Sequence, residues 1–270
     1  MTHPTTWVAD RFGVRLEGDP ALHDLLGLAL RRNPRRAHLL VSTVLGKHLP
    51  ADPRTVHGTG AELGRLVGKV LDGRSALVLG FAETATGLGH CVAEALGADY
   101  LHSTRRSVPG IAAPGGFEEE HSHATSHHLL PEDPALLGRA EVLVLVDDEL
   151  STGRTARNTI TELHMSAPRG HYVVATLVDL RRDDDRTAMA RFAAELGVRV
   201  DVVSLAAGTV SWPAGFPAAV AALVDRTPGP LPAATEPRAR VVRHVGAWPP
   251  GVREGGRHGF TTADVGAARN

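Results

Sequence analysis

The sequence predicts an α/β fold with a mostly parallel central sheet flanked by helices. Three observations carry that expectation. Short apolar runs alternate with segments of helical periodicity, the pattern of βαβ units. Residues 142–146 (VLVLV) form a continuous apolar run of strand length. A small, hydroxyl-rich turn around Gly153 follows, and a helical pattern starts from it, as at the ligand-binding ends of open sheets.

The elements follow in order. Residues 38–45 read as a strand. Residues 58–71 read as a helix, with Leu63, Leu66, Val67, Val70 and Leu71 on one face. A strand over 75–80, a helix over 87–96 and a short strand over 99–102 come next. Periodicity then disappears from 103 to 133, a segment holding Pro109, Gly110, Pro114, Gly115 and Gly116. A loop of that length inside a domain is uncommon and usually functional. After the strand at 142–146 the pattern gives a helix over 153–165 and a strand over 172–178. A helix presenting Met189, Phe192, Ala193 and Leu196 follows, then a strand over 198–205. These runs predict a mostly parallel sheet. Thr227-Pro-Gly-Pro-Leu-Pro232 reads as a linker, which divides the chain into a main domain (1–226), a Pro-rich linker (227–240) and a carboxyl-terminal segment (241–270).

Composition excludes several classes. The chain has 270 residues, with 29 Lys and Arg against 30 Asp and Glu, a net charge of −1. Nothing in that balance draws it to nucleic acid or to an anionic membrane. A single cysteine, Cys91, rules out an internal disulfide framework. No apolar stretch approaches about 20 residues, so no membrane span is expected. The amino terminus lacks a basic start followed by an apolar run, so a cytoplasmic protein is expected.

The most informative stretch is VLVLVDDELSTGRT, residues 142–155. Asp147 and Asp148 follow the strand at its carboxyl end, where open sheets bind ligands. The turn opens a helix whose first N–H groups lack intrahelical partners and whose dipole favours an anion. Ser151, Thr152 and Thr155 add hydroxyl donors, Gly153 allows close backbone approach, and Arg154 adds a charge. Carboxylates beside a phosphate cup repel it unless magnesium or sugar hydroxyls lie between them. A lone Asp-Asp pair before a helix is an ordinary solvated turn; the ordered combination points to an anion site with magnesium or sugar hydroxyls beside the acids.

Residues 78–89 (VLGFAETATGLG) repeat the strand, turn and helix start, and Glu83, Thr84, Ala85, Thr86 and Gly87 form a second candidate anion loop. Lys47, in a Gly-Lys-His turn, is either a mobile cation for that loop or a plain surface lysine. Arg105 and Arg106 offer guanidinium groups for phosphate oxygens. Within residues 118–128 (EEEHSHATSHH), His121 and His123 are candidates for proton handling. A zinc reading uses them with His127, His128 and the glutamates, and a solvated loop is the third reading.

Taken together, these motifs resemble the type I phosphoribosyltransferases, whose binding motif for phosphoribosyl pyrophosphate (PRPP) runs from an apolar strand through two acids to a Thr-Gly-centred loop. The resemblance implies the type I phosphoribosyltransferase fold, a parallel sheet of about five strands with a hood and a mobile lid at 103–133. It implies that Asp147 and Asp148 face the ribose hydroxyls and Mg2+, and that Ser151, Thr152, Gly153, Arg154 and Thr155 hold the 5′-phosphate. Glu83, Thr84, Ala85, Thr86 and Gly87, with Lys47 and Arg105 or Arg106, would take the pyrophosphate. His121 or His123 would handle a proton. The partners implied are PRPP and an unidentified nitrogenous, nucleobase-like acceptor, with homodimers common among relatives. Glu149 and Arg154 depart from the general motif, and Ser151 stands where purine-using members often carry an acid. Residues 36–48 (RAHLLVSTVLGKH), 80–86 (GFAETAT), 117–125 (FEEEHSHAT) and 146–153 (VDDELSTG) resemble a narrower family, the phosphoribosyltransferases with a carboxyl-terminal TRSP domain from tellurite-resistance-associated gene clusters. Glu149 fits that family, the tail resembles the start of TRSP, and the implied product is a nucleoside-like metabolite. A non-catalytic PRPP sensor and a hydrolase using the histidine-rich loop are the rival readings. Trp212 is a candidate to stack on a flat acceptor, or else a core tryptophan.

Overall fold

The computed structural model describes residues 4–30, 38–106, 115–118, 126–226 and 259–269. His121, His123, the linker and most of the carboxyl-terminal segment lie outside these residues. The order is α1 (Pro4–Phe12), β1 (Arg15–Gly18), α2 (Leu22–Leu25), β2 (Leu26–Leu30), β3 (His38–Ser42), α3 (Pro53–Leu71), β4 (Ala76–Gly80), α4 (Thr86–Leu96) and β5 (Asp99–Thr104). Then come β6 (Gly115–Glu118), β7 (Ser126–Leu129), α5 (Leu136–Arg139), β8 (Val142–Leu150), α6 (Arg154–Ser166), β9 (His171–Asp179), α7 (Asp183–Leu196), β10 (Arg199–Ser211), α8 (Phe216–Arg226) and α9 (Thr262–Arg269).

The main sheet has eight strands in the order β1-β10-β9-β8-β4-β5-β7-β6. Its centre, β10 to β5, is parallel, and the expected five-stranded parallel core is there. Antiparallel strands extend both edges: β1 pairs with β10, and the β6–β7 hairpin adds to β5. That hairpin corrects the reading of 103–133 as uninterrupted loop. Its strands, GGFE and SHHL, show no apolar alternation, so no period-2 signal marks them.

Alternation along β8 builds both cores. Val142, Val144 and Val146 join the cluster under α3 and α4, while Leu143 and Leu145 join the cluster under α6 and α7. All five are buried, so the hydrophobic effect fixes the register of this strand against slippage by one residue. Helix α3 begins at Pro53, earlier than periodicity indicates, because Asp52 accepts the Arg54 N–H at 2.8 Å and Pro53 occupies the first turn. Gly60 and Gly64 let α3 approach α4: a Cβ on Gly60 would lie 2.4 Å from Cys91 Cβ. Strand β10 runs to Ser211 rather than ending near 205, because its outer edge continues in pairing with β1. The contact is close enough that a Cβ on Gly208 would meet the Glu17 carbonyl at 2.2 Å.

A smaller cluster of Val8, Val14, Leu28, Phe216 and Val220 joins α1, the antiparallel β2–β3 ribbon and α8. Leu40 and Val210 touch both it and the main core, so this unit sits on the sheet rather than apart from it. The segment from Gly259 runs along the free edge of β5. Phe260 and Tyr100 exchange backbone hydrogen bonds of 2.8 and 2.9 Å, Thr262 N–H donates to Asp99 at 2.8 Å, and Arg269 pairs with Glu94 at 2.5 Å. It covers part of an otherwise unpaired strand edge. Among the described residues no helix is long and apolar enough to cross a membrane.

Candidate active site

Two βα turns meet at the carboxyl ends of β4 and β8. Pairing between these strands stops at Gly80 and Val146, while β8 goes on pairing with β9 through Leu150. Asp147, Asp148 and Glu149 therefore lie inside β8, not after it, along the part that has lost β4 as a neighbour. This is the crevice where an open parallel sheet exposes side chains and backbone to a ligand. The Phe81 N–H donates to the Val146 carbonyl at 2.9 Å. That bond fixes the start of the Glu83 to Gly87 loop beside the acid pair.

Asp147 and Asp148 are half-buried neighbours. Asp147 Oδ1 accepts the Asp148 N–H at 2.9 Å. Burial first, and then the charge of Asp148, hold the Asp147 carboxyl well above the usual range, and Glu149 adds to the effect. Burial also raises Asp148, against hydrogen bonds and the nearby His48, which lower it. A pair of partly desolvated carboxylates is a donor set short of positive charge.

The second turn, the predicted phosphate cup, is shaped at Gly153. Gly153 adopts φ 71° and caps α6, and a Cβ there would lie 2.8 Å from Met189 Cε. Ser151 and Arg154 are exposed, Thr152 and Thr155 half-buried. Thr152 Oγ1 accepts the Arg154 N–H at 3.4 Å. In the first turn the Ala82–Glu83 peptide is cis. Thr86 is held at both ends of its residue: its hydroxyl donates to the Glu83 carbonyl at 3.2 Å, and the Tyr100 hydroxyl donates to its carbonyl at 2.5 Å. Ala85 is buried, whereas Glu83 and Gly87 are exposed. Lys47 Nζ reaches Glu83 at 3.6 Å, which brings the predicted cation to the predicted loop.

Arg105 joins this loop through a relay that the sequence did not reveal. Ala82 N–H donates to Ser103 Oγ at 2.9 Å, Ser103 Oγ lies 2.8 Å from His127 Nδ1, and Arg105 Nε donates to His127 Nε2 at 3.3 Å. A guanidinium is always a donor, so Nε2 accepts and Nδ1 carries the proton, which goes to Ser103. His127 is 0% exposed, and both ring nitrogens of this proposed zinc ligand face protein partners. Arg106 stays exposed, with its N–H on Thr104 Oγ1 at 3.2 Å. A serine ending a strand and a histidine 24 residues later carry no local pattern that would pair them.

A cleft of about 400 Å³ opens from the cup, lined by Ser151 and Thr152 at one end and by Leu40, Leu180, Val210 and Trp212 on apolar walls. Glu149, Arg182, Asp185 and Thr209 supply its polar lining. Trp212 is 38% exposed, with its ring 4.9 Å from Phe216, so it is a cleft wall resting on the small cluster. The structure thus gathers Asp147, Asp148, the cup, the Glu83 to Gly87 loop, Lys47 and Arg105.

A family model described as phosphoribosyl transferase matches residues 25–209. Among solved structures, adenine phosphoribosyltransferase from Rhodothermus marinus aligns at 18% identity and TM-score 0.46, over 68% of this chain and 96% of its own. Orotate phosphoribosyltransferase from Aeropyrum pernix aligns at 20% identity and TM-score 0.42, over 74% and 91%. The Giardia lamblia adenine enzyme complexed with 9-deazaadenine aligns at 17% identity and TM-score 0.45, over 67% and 94%. No curated protein matches the chain. The family match spans both βα turns, the acid pair between them and the strands that carry them, and the chain belongs to the phosphoribosyl transferase family.

Proposed function

We propose that the protein transfers ribose 5-phosphate from Mg-PRPP to a nitrogenous, nucleobase-like acceptor and releases pyrophosphate. The observation that carries this reading is the carboxylate pair on the open end of β8, set between two anion loops. The two carboxylates suit a hard cation that takes few protein ligands and several substrate oxygens. Magnesium bound there would supply charge neutralisation for the pyrophosphate and the ribose hydroxyls.

Asp147 and Asp148 would accept hydrogen bonds from the ribose hydroxyls and orient the sugar. Ser151, Thr152, Gly153, Arg154 and Thr155 would anchor the 5′-phosphate at the start of α6. Glu83, Thr84, Ala85, Thr86 and Gly87 would receive the pyrophosphate, with Lys47 and Arg105 countering its charge. The acceptor nitrogen forms its bond to C1′ as the C1′–O bond to pyrophosphate breaks; the electron pair leaves on pyrophosphate, and the acceptor's N–H proton would pass to His121 or His123. Acceleration then comes from positioning and fixed electrostatics rather than from a covalent enzyme intermediate. The unit of α1, β2–β3 and α8 would be the hood over the acceptor. We place the reaction in the cytoplasm, with 1–226 as the catalytic domain. Glu149, shared with the phosphoribosyltransferases of tellurite-resistance-associated clusters, supports a nucleoside-like product.

Calorimetry with PRPP, with and without magnesium, tests this reading on wild type and on the Asp147→Asn/Asp148→Asn double variant. Magnesium-dependent binding that disappears in the double variant is expected. Folded wild type that fails to bind PRPP with magnesium present refutes it. Pyrophosphate release on adding an acceptor separates the enzyme from a sensor.

A further inference from the structure

We infer that the carboxyl-terminal segment straps the Glu83 to Gly87 loop in place through Tyr100, which makes Phe260 and Tyr100 positioning residues for pyrophosphate. The inference rests on the phosphoribosyl-transfer reading, which gives that loop its ligand. Strand β7 pairs with β5 only at Ser103 and Thr104, so the edge of β5 at Tyr100 is left for another partner. Phe260 takes both backbone groups of Tyr100, the N–H at 2.9 Å and the carbonyl at 2.8 Å. Gly259 makes this approach possible: it adopts φ 80°, and a Cβ there would lie 2.5 Å from the Tyr100 carbonyl oxygen. The Thr262 N–H and hydroxyl donate to Asp99 at 2.8 and 3.2 Å, one residue before Tyr100. The Phe260 ring lies 5.7 Å from that of His90, which in turn lies 5.1 Å from the Tyr100 ring.

Tyr100 carries the contact inward. It is buried, and its ring rests where two glycines leave room. A Cβ on Gly80 would lie 2.8 Å from its hydroxyl oxygen, and one on Gly89 would lie 2.9 Å from Cε2. Those glycines bracket the loop. The hydroxyl donates to the Thr86 carbonyl at 2.5 Å, and burial pushes the phenol up, so it stays a donor. A peptide unit is planar, so holding the Thr86 carbonyl also sets the direction of the Gly87 N–H across the same bond. That N–H belongs to the first turn of α4, where helix-start donors favour an anion. Strand β4 separates β5 and the strap from β8 and the Gly153 turn, so the effect should fall on one loop and spare the other.

The test uses the full chain as wild type, Gly259→Ala, Tyr100→Phe and the double variant, with hydrogen exchange and calorimetry as readouts. The probes are magnesium pyrophosphate and ribose 5-phosphate. Amide exchange over residues 84–90 should speed up in both single variants and stay unchanged around Gly153. Each variant should weaken magnesium pyrophosphate by roughly three- to tenfold, the worth of one hydrogen bond, and ribose 5-phosphate by less than about twofold. The double variant should bind no more weakly than the worse single one, because both changes break one chain of contacts. Should Gly259→Ala fail to fold, Phe260→Ala, which keeps the backbone bonds and removes the ring beside His90, replaces it. A folded strap variant with wild-type exchange over 84–90 overturns the inference. So do faster exchange with wild-type pyrophosphate affinity, equal losses for both probes, or effects that multiply in the double variant. Wild type that binds neither magnesium pyrophosphate nor Mg-PRPP overturns the transfer reading itself, and the exchange result then still decides whether the strap holds the loop.

Discussion

Replacing Asp147 with Asn should stabilise the ligand-free protein and weaken PRPP binding. Asn keeps the side-chain carbonyl that accepts the Asp148 N–H at 2.9 Å, and its amide can donate toward the Asp148 carboxylate. What it removes is a partly desolvated charge facing two others, Asp148 and Glu149. The folded carboxyl is held above its ordinary value of 3.8, mainly by burial. Below that value both folded and unfolded chains are protonated and the group contributes nothing. As pH rises past it the unfolded chain ionises first, so stability falls until the folded carboxyl ionises too, and the deficit then stays constant. Relief of one such unfavourable group is worth about 1–2 kcal/mol. For a domain of this size that raises Tm by about 2–8 °C. Scanning calorimetry of both proteins without ligand should show the variant ahead at pH 7, with the gap closing on acidification toward pH 4. Loss of a charged hydrogen-bond acceptor for ribose should weaken Mg-PRPP by roughly ten- to a hundredfold. A variant that melts below wild type at pH 7, or a gap that widens on acidification, would refute the electrostatic reasoning.

Three further substitutions probe the frame around the acids. Gly153→Ala forces a side chain into φ 71° and against Met189, so it should cost about 1–2 kcal/mol and lower both Tm and PRPP affinity. Ser103→Ala leaves the Ala82 N–H and the His127 Nδ1–H without their partner, an expected loss of about 1–3 kcal/mol. Because it loosens the start of the Glu83 to Gly87 loop, pyrophosphate inhibition should weaken more than 5′-phosphate binding, as competition assays would report. Tyr100→Phe deletes the hydroxyl that holds the Thr86 carbonyl at 2.5 Å and should lower stability by about 1 kcal/mol, measured by denaturant titration.

The parallel core was legible because burial on both faces writes itself into the chain as apolar runs, VLVLV most clearly. The turn at Gly153 was legible for a related reason: a tight turn into a helix start calls for glycine and hydroxyls at fixed offsets, and those are local. What escaped was held by contacts distant in sequence. Strand β1 is four largely exposed residues whose strand state depends on pairing with β10. The β6–β7 hairpin depends on the edge of β5 in the same way. The Ser103–His127 bond spans 24 residues, and no spacing rule predicts it. Leu180 and Arg182 line the cleft only because β9 ends beside the cup and α7 turns away there.

The position of the acids follows from the unequal lengths of the strands. Strand β4 ends at Gly80 because its next residues turn into the Glu83 to Gly87 loop, so β8 must go on with one neighbour instead of two. Had β4 continued, Asp147 and Asp148 would lie in a doubly paired sheet interior, where no ligand could reach them and their charges would be untenable. Had β8 stopped at Val146 as well, the acids would sit on a loop, solvated and free of the partial burial that makes them receptive to a cation. The structure instead leaves them half-buried on a rigid strand, with the Phe81–Val146 bond tying the first loop to the residue before them and Gly153 opening the second just beyond. On the proposed reading, the same arrangement that destabilises the empty site would fix both ends of a doubly phosphorylated sugar relative to its ring. It also puts Glu149, next along that strand, on the wall of the cleft beside Ser151 and Thr152.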